Sequence, residues 1–271
     1  MKLAYQVSTS EVRKAPGVTA YQDDLAVSFR RLAEVGYDGA ELMVADPGRI
    51  DVKLVKRLTR ENRLAIPMVC TGEIFGQEKL SFSDPDDAIR SEAIRRVKDA
   101  INLAADFGGQ VNIGRIRGGF VPGEPPEQSR RRALEGLLEI CGHARPLGVT
   151  VALEPANTFV INFINSTADG LAILDEMGQD GLSIMLDTTH MFIEDPDIFA
   201  AVRLAAGRFT YVHLTDSNRK WPGNCKIDFA GFLQELRAVG YDGWLSVEVF
   251  QIPDQDTALE KSYAHIKPLS T

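Results

Sequence analysis

Acidic and histidine side chains end four successive apolar runs in the second half of the chain. Glu154 follows TVAL, Asp187 ends LSIMLD, His213 lies in FTYVHLT and Glu248 lies in GWLSVEVF. Charged side chains are rarely buried unless they are paired or bind a metal. Two glutamates, one aspartate and one histidine are suitable ligands for a divalent cation such as Mn²⁺, Mg²⁺ or Co²⁺. The pattern therefore predicts a site at which a cation offsets this buried charge.

Each of these residues also has an ordinary structural explanation. A single carboxylate at the end of a strand is commonly a helix cap or a partner in a loop salt bridge. A single histidine in an apolar strand is usually a hydrogen-bonded core residue. Four such residues at the ends of four successive strands are harder to explain one by one. Cysteine is absent from the set, so we do not expect a structural zinc site built on thiolates.

Short apolar runs alternate with longer amphipathic runs along the whole chain. The runs that predict strands are residues 3–7, 39–44, 65–71, 110–116, 150–155, 182–187, 209–215 and 243–250. Between them, apolar residues at spacings of three and four predict helices, for example over 87–108 and 126–145. Eight such units predict an α/β protein with one domain, residues 1–271, folded as a single (β/α)₈ TIM barrel. A doubly wound open sheet, the rival architecture, would be expected to carry a Gly-rich turn after its first strand.

The predicted barrel gathers the strand-end residues at one place. Active sites of such barrels lie at the C-terminal ends of the strands. The four residues end four consecutive strands, so closure of the barrel would bring them around one half of its mouth. His190 follows the sixth strand, and Asp216 and Arg219 follow the seventh at the same end.

The composition argues against nucleic-acid and membrane partners. The net charge of −8 does not suit nucleic-acid binding, which needs basic surface. No apolar stretch approaches a membrane span, and the start MKLAYQVSTS lacks the apolar core of a signal peptide. The three scattered cysteines, Cys70, Cys141 and Cys225, favour reduced thiols over a disulfide framework. We therefore expect a cytoplasmic protein with a small-molecule partner, and assembly as a homo-oligomer stays open.

The motifs around these residues resemble the xylose isomerase-like barrel superfamily of sugar isomerases and epimerases. LEPAN, LDTTHM, HLTDSNR and SVEVF are similar to the metal and proton-transfer motifs of that group, in the same order and with similar spacing. GYDGAEL near the start and VNIGRIRGG after the fourth strand extend the resemblance over nearly the whole chain. The likeness is closest to ketose 3-epimerases and to keto-sugar-acid epimerases of the 5-keto-L-gluconate type.

The resemblance implies roles for particular residues. One divalent ion, expected to be Mn²⁺ with Co²⁺ or Mg²⁺ as alternatives, would be bound by Glu154, Asp187, His213 and Glu248. The two glutamates would also be catalytic and exchange the substrate proton. His190 and Arg219 would bind substrate oxygens near the metal. Glu41, at the end of the second strand, would bind substrate at the other side of the pocket.

The implied reaction moves a proton at the carbon next to a ketone. A cation would stabilise the developing enediolate, and carboxylates on opposite faces of the substrate would remove and return the proton. Epimerisation, aldose–ketose isomerisation, and decarboxylation or elimination of a keto-sugar acid share such an intermediate, and the sequence does not separate them. The same fold could also serve a metal-dependent abasic-site endonuclease, which needs further ligands and a basic surface, or a non-catalytic barrel with a structural metal.

Arg117, in GRIRGG just past the fourth strand, is expected to determine the substrate class. A guanidinium at the mouth could pair with a carboxylate or phosphate, and neighbouring Arg115 could do the same. Val160 stands where many ketose 3-epimerases have a further glutamate, and the loop RKWPGNCKIDF lacks a GxGxxD-like run of several relatives. These features predict a sugar or sugar-acid substrate, with a keto-sugar acid favoured over a phosphate or a free ketose.

Overall fold

The strands form a closed barrel in which all eight are parallel. A computed structural model of the protein describes residues 1–178 and 180–270. The strands are β1 (Lys2–Ser8), β2 (Gly39–Met43), β3 (Met68–Cys70), β4 (Gln110–Ile113), β5 (Val151–Leu153), β6 (Leu182–Asp187), β7 (Phe209–Leu214) and β8 (Trp244–Val247). Each strand pairs with the next in chain order, and Lys2 of β1 pairs with Trp244 of β8 to close the ring. The predicted (β/α)₈ barrel is therefore confirmed.

Helices surround the barrel between successive strands. Within the described residues they are α1 (Leu25–Val35), α2 (Val52–Asn62), α3 (Gly72–Gly76), α4 (Asp87–Ala105), α5 (Pro126–Ala144), α6 (Thr167–Met177), α7 (Thr188–Glu194), α8 (Ile198–Leu204), α9 (Phe229–Ala238) and α10 (Gln255–Ser270). The short helices α3 and α7 begin directly after β3 and β6, so they lie at the mouth. None of the helices in this part of the chain is both long and apolar enough to cross a membrane.

Several strands, including β4, β5 and β8, end earlier at the mouth than the sequence predicts. β4 ends at Ile113 because a 3₁₀ turn over Arg115–Arg117 follows it. β5 and β8 end one residue before Glu154 and Glu248. The N–H of Glu154 still donates to the carbonyl of Ile113 at 3.0 Å, and that of Glu248 to Leu214 at 3.4 Å. Both glutamates are thus held at the rim by hydrogen bonds that continue the strand ladder.

The inward-facing side chains form layers along the barrel axis. A small apolar cluster fills the interior with one residue from each of four strands: Met68, Ala152, Met185 and Tyr211. Side chains alternate between the two faces of a strand, so the residue two positions further on points inward again. On these strands those residues are Cys70, Glu154, Asp187 and His213. The polar layer at the mouth therefore lies directly above an apolar floor.

Two glycines on α5 allow packing to be separated from helix propensity. A Cβ at Gly136 would lie 2.7 Å from the buried side chain of Phe82, whereas one at Gly142 would meet nothing within 4 Å. Alanine is favoured over glycine in a helix by about 0.5–1 kcal/mol, but overpacking a core costs about 1–3 kcal/mol. We expect Gly142→Ala to raise the free energy of unfolding and Gly136→Ala to lower it, as measured by denaturant titration. The same change in both variants would contradict the described packing.

Candidate metal and substrate site

The four predicted ligands come together at the mouth of the barrel. Each presents one ligand atom, and these atoms lie within 4.8 Å of one another in the set Glu154, Asp187, His213 and Glu248. His213 Nδ1 lies 3.3 Å from Glu154 Oε1, 3.3 Å from Glu248 Oε2 and 3.8 Å from Asp187 Oδ2. All four side chains are buried. Three carboxylates so close together and away from water are costly unless positive charge offsets them.

Neighbouring residues fix the orientation of both glutamates. Asn112 Nδ2 donates to Glu154 Oε2 at 2.9 Å, and Thr19 Oγ1 donates to Glu248 Oε1 at 3.0 Å. The other oxygen of each carboxylate faces His213. Gly114 is required beside this arrangement, because a Cβ there would lie 2.5 Å from Glu154 Oε2. The glycine after β4 thus makes room for the glutamate after β5.

Asp187 serves as both a helix cap and a member of the site. Its Oδ1 accepts hydrogen bonds from the N–H groups of Thr189 and His190 at the start of α7, at 2.8 and 3.0 Å. Its Oδ2 faces His213 and accepts from Arg219 at 2.9 Å. Asp187 is therefore a helix cap through Oδ1, and its Oδ2 remains a candidate metal ligand.

His213 is oriented as a metal ligand would be. Its Nε2 donates to Glu41 Oε1 at 2.9 Å, which leaves Nδ1 facing the three carboxylates. His213 Nδ1 and Glu154 Oε1 are buried and have no hydrogen-bond partner of good geometry in the described part of the chain. Buried polar atoms without partners are rare. A divalent cation would satisfy both atoms, and three carboxylates with one imidazole suit Mn²⁺, Co²⁺ or Mg²⁺.

The charges of the site reinforce one another. Burial alone would raise the pKa of Glu248, but Arg219 and His213 hold it well below its usual value. Burial acts likewise on Glu154, and His213 lowers that pKa overall. Burial would lower the pKa of His213, yet the carboxylates, with Glu41 and Glu248 foremost, raise it well above its usual value. The site therefore attracts positive charge at its centre.

Glu41 does not lie where the resemblance places it. It is part of β2, is fully buried, and accepts hydrogen bonds from His213 and from Gln6 Nε2. It is not among the residues that line the cavity. The prediction that Glu41 binds substrate is therefore wrong, because His213 lies between its carboxylate and the mouth. Its contact instead orients the imidazole.

A cavity of about 170 Å³ opens at the mouth, and Glu154 and Glu248 are among the residues that line it. It is smaller than the pockets of about 300–1,000 Å³ that hold drug-sized ligands, so it suits a small molecule. His190 lines it and uses Nδ1 in a 2.7 Å hydrogen bond with Asn157, which leaves Nε2 for a ligand. Burial lowers the pKa of His190, so its ring is neutral near pH 7. Burial also raises the pKa of Cys70 in the cavity wall, so this thiol stays protonated.

Arg219 lines the cavity from the side of β7. It donates to Asp187 Oδ2 and Glu248 Oε2, both at 2.9 Å, and its backbone has a φ of 58°, which is uncommon outside glycine. The loop that holds it is organised by Asp216. That carboxylate accepts hydrogen bonds from the backbone N–H groups of Ser217, Gly223, Cys225, Lys226 and Ile227. Asp216 therefore supports the loop that carries Arg219.

Arg117 does not reach the cavity. It is fully buried, and all five of its N–H donors bind backbone carbonyl oxygens, those of Gly114, Glu154, Phe163 and Ile164. Burial lowers its pKa to about 10. No donor remains for a substrate anion, so the prediction that Arg117 binds the substrate is wrong. The 3₁₀ turn directs it toward the loop after β5, and Arg115 lines the cavity instead.

Further residues line or support the site without a clear mark in the sequence. Asn112 is a polar residue within the apolar run of β4, which is a signal that could have identified it. Thr19, Asn157 and Glu73 lie in loops or in a short helix, and no pattern in the sequence marks them. Their positions depend on how the loops at the mouth fold back toward the cavity.

The fold and the site define a (β/α)₈ barrel with a buried carboxylate–histidine cluster at its mouth. The model of the xylose isomerase-like TIM-barrel family matches residues 29–269, and the chain belongs to this family. L-ribulose 3-epimerase of Mesorhizobium japonicum is 32% identical over 246 residues, which are 90% of this chain and 81% of that protein. 3-dehydro-D-guloside 4-epimerase of Escherichia coli is 24% identical over 239 residues, 84% of this chain and 88% of that protein.

A solved structure gives the same result for the fold. The crystal structure of D-allulose 3-epimerase from Methylomonas sp. in complex with D-allulose has a TM-score of 0.82 and 25% identity. The match covers 99% of this chain and 96% of that chain. The proteins to which this chain is similar are therefore named for epimerisation at different carbons of different keto sugars.

The position of Arg117 leads to a stability prediction. Arg117→Met would leave the buried carbonyl oxygens of Glu154 and Phe163 without a donor, whereas those of Gly114 and Ile164 keep a backbone N–H donor. Each buried group left unsatisfied costs about 1–3 kcal/mol. We expect the free energy of unfolding to fall by at least about 2 kcal/mol, about 1 kcal/mol or more for each of the two oxygens. Arg131→Met, an exposed arginine on α5, should change it by less than about 0.5 kcal/mol. An Arg117→Met variant with unchanged denaturation and altered selectivity for anions would contradict the described role.

Proposed function

We propose that the protein is a divalent-metal-dependent epimerase that acts at the carbon next to the ketone of a keto sugar. The observation that carries this proposal is the arrangement around His213. Two glutamates approach its Nδ1 from β5 and β8, and that nitrogen and Glu154 Oε1 are buried without hydrogen-bond partners in the described structure. The names of the similar proteins, which are epimerases of keto sugars, support the same reaction.

The two glutamates are the acid–base groups of the proposed reaction. They follow strands three apart in the ring, so they border the cavity from two sides. A keto sugar bound between them would present opposite faces of the carbon next to the ketone. One carboxylate removes the proton from one face, and the other returns a proton to the opposite face, which inverts the carbon. A bound divalent cation would supply positive charge that stabilises the negative charge developing on the ketone oxygen.

The other polar residues of the cavity orient the substrate. Arg219 is held by Asp187 and Glu248, so its guanidinium lies beside the reacting region and can donate to a substrate oxygen. His190 can bind a second oxygen through Nε2, since Asn157 engages its Nδ1. A structural metal site would not need these two residues in the cavity. Carboxylates on two sides favour epimerisation over aldose–ketose isomerisation, which needs a base on one face only.

We propose a neutral ketose, rather than a keto-sugar acid, as the substrate. The prediction of a keto-sugar acid depended on Arg117, whose donors are all bound to backbone carbonyls. Decarboxylation of a sugar acid loses its motivating residue for the same reason. The described residues contain one candidate metal cluster, whereas an abasic-site endonuclease needs further ligands. The acidic composition also remains unsuited to nucleic acid.

Proton exchange with solvent tests the proposed reaction. Incubation of the wild type with L-ribulose or D-allulose in D₂O should place deuterium at the carbon next to the ketone, as read by NMR. Exhaustive chelation should abolish this exchange, and Mn²⁺ should restore it. Glu154→Gln and Glu248→Gln should each slow turnover by about 10²- to 10⁴-fold, the usual contribution of a general acid or base.

A matched control and two outcomes decide the test. Glu135→Gln changes an exposed glutamate on α5 and should leave turnover unchanged. Full retention of the substrate hydrogen in an epimerised product would point to hydride transfer and overturn the proton mechanism. Exchange that persists after complete removal of metal would overturn the proposed metal dependence.

A further inference from the structure

The cavity has a second polar end, formed by Glu73 and Arg115. Glu73 belongs to α3, which follows β3, and Arg115 lies in the turn after β4. Both side chains line the cavity that also contains Glu154 and Glu248. In a ring of eight strands, β3 and β4 lie opposite β7 and β8. The Glu73–Arg115 pair therefore faces Arg219 and Glu248 across the mouth.

The pair leaves hydrogen-bonding groups unused. Arg115 Nη2 lies 3.3 Å from Glu73 Oε1 and 3.2 Å from the carbonyl oxygen of Gly72, and both contacts are long. Arg115 Nε and Nη1 and Glu73 Oε2 have no hydrogen-bond partner within the residues that the structure describes. Glu73 is only 7% exposed and lines the cavity, whereas the Arg115 side chain is 34% exposed. Buried charged groups are costly unless they are hydrogen-bonded.

The surrounding residues hold the pair in place. The guanidinium of Arg115 lies over the ring of Phe75, 5.8 Å from its centroid. Gly76 allows Glu73 to fold back on its own helix, because a Cβ there would lie 2.8 Å from both carboxylate oxygens. An acceptor and a donor are thus fixed side by side at the end of the cavity away from the candidate metal ligands.

We propose that Glu73 and Arg115 bind the hydroxyl group at the end of the keto sugar far from the ketone, and that Glu73 excludes sugars with an anionic group there. A carboxylate only accepts hydrogen bonds and a guanidinium only donates them, whereas a hydroxyl does both. One hydroxyl therefore satisfies both partners. The opposite charges of the pair cancel, and a carboxylate or phosphate would meet the negative charge of Glu73. This inference rests on the proposed function and names its substrate class, a neutral ketose.

Steady-state kinetics on three related substrates test the subsite. They are a ketose that the wild type epimerises, its analogue without the terminal hydroxyl, and its terminal phosphate. The wild type should have a kcat/KM for the parent about ten- to a hundredfold above that for the deoxy analogue, as expected for a hydrogen bond to a charged group. Glu73→Gln and Arg115→Met should each reduce the ratio of kcat/KM for the parent to kcat/KM for the deoxy analogue. Glu73→Gln should also raise the ratio of kcat/KM for the phosphate to kcat/KM for the parent by at least about tenfold. Arg115→Met should not raise this ratio.

The outcomes separate this inference from the proposed function. Glu61→Gln is a control on the outer helix α2 and should leave kcat/KM for all three substrates unchanged. Equal use of the parent and the deoxy analogue by the wild type would overturn the subsite while epimerisation stands, and this comparison requires no variant to fold. If Glu73→Gln and Arg115→Met each lowered kcat/KM by the same factor for all three substrates, the subsite would also be overturned. Absence of deuterium exchange with every ketose tested would overturn the proposed function and the subsite together.

Discussion

The approach of three carboxylates to one buried imidazole is the constraint on which the rest of the site depends. Like charges at this separation repel strongly where water is excluded. Each neighbour reduces that cost: Arg219 bridges Asp187 and Glu248, while Asn112 and Thr19 each bind one glutamate oxygen. The atoms that remain unpartnered, His213 Nδ1 and Glu154 Oε1, face the same space. This arrangement of the protein's own groups is the physical basis of the proposed cation site.

The barrel creates this constraint through its strand geometry. Ala152, Met185 and Tyr211 form part of an apolar floor, and the alternation of strand side chains places a polar residue two positions further on at the mouth. Because the barrel is closed, the candidate metal ligands on β5 to β8 lie on one side of the mouth, and the Glu73–Arg115 pair lies on the other. A keto sugar that spans the cavity would have its ketone at the first end and its last hydroxyl at the second.

The sequence predicts what depends on strand alternation and fails where side-chain direction depends on turns and register. Glu154 and Glu248 could be identified because they directly follow apolar strands, and the structure brings them together with His213. Arg115 and Arg117 are two residues apart in one motif, and only the 3₁₀ turn decides that the first faces the cavity and the second is buried. Glu41 lies behind His213 because of the register of β2 in the closed barrel, which no local pattern reveals.

Anomalous diffraction from crystals soaked in Mn²⁺ tests the central claim most directly. The account predicts one strong manganese peak bonded to His213 Nδ1 and to carboxylate oxygens of Glu154, Asp187 and Glu248. The Nε2 of His213 should still donate to Glu41 in that structure. A peak elsewhere on the protein, or density in which His213 Nδ1 has no metal at saturating Mn²⁺, would contradict the assignment of these residues as one cation site.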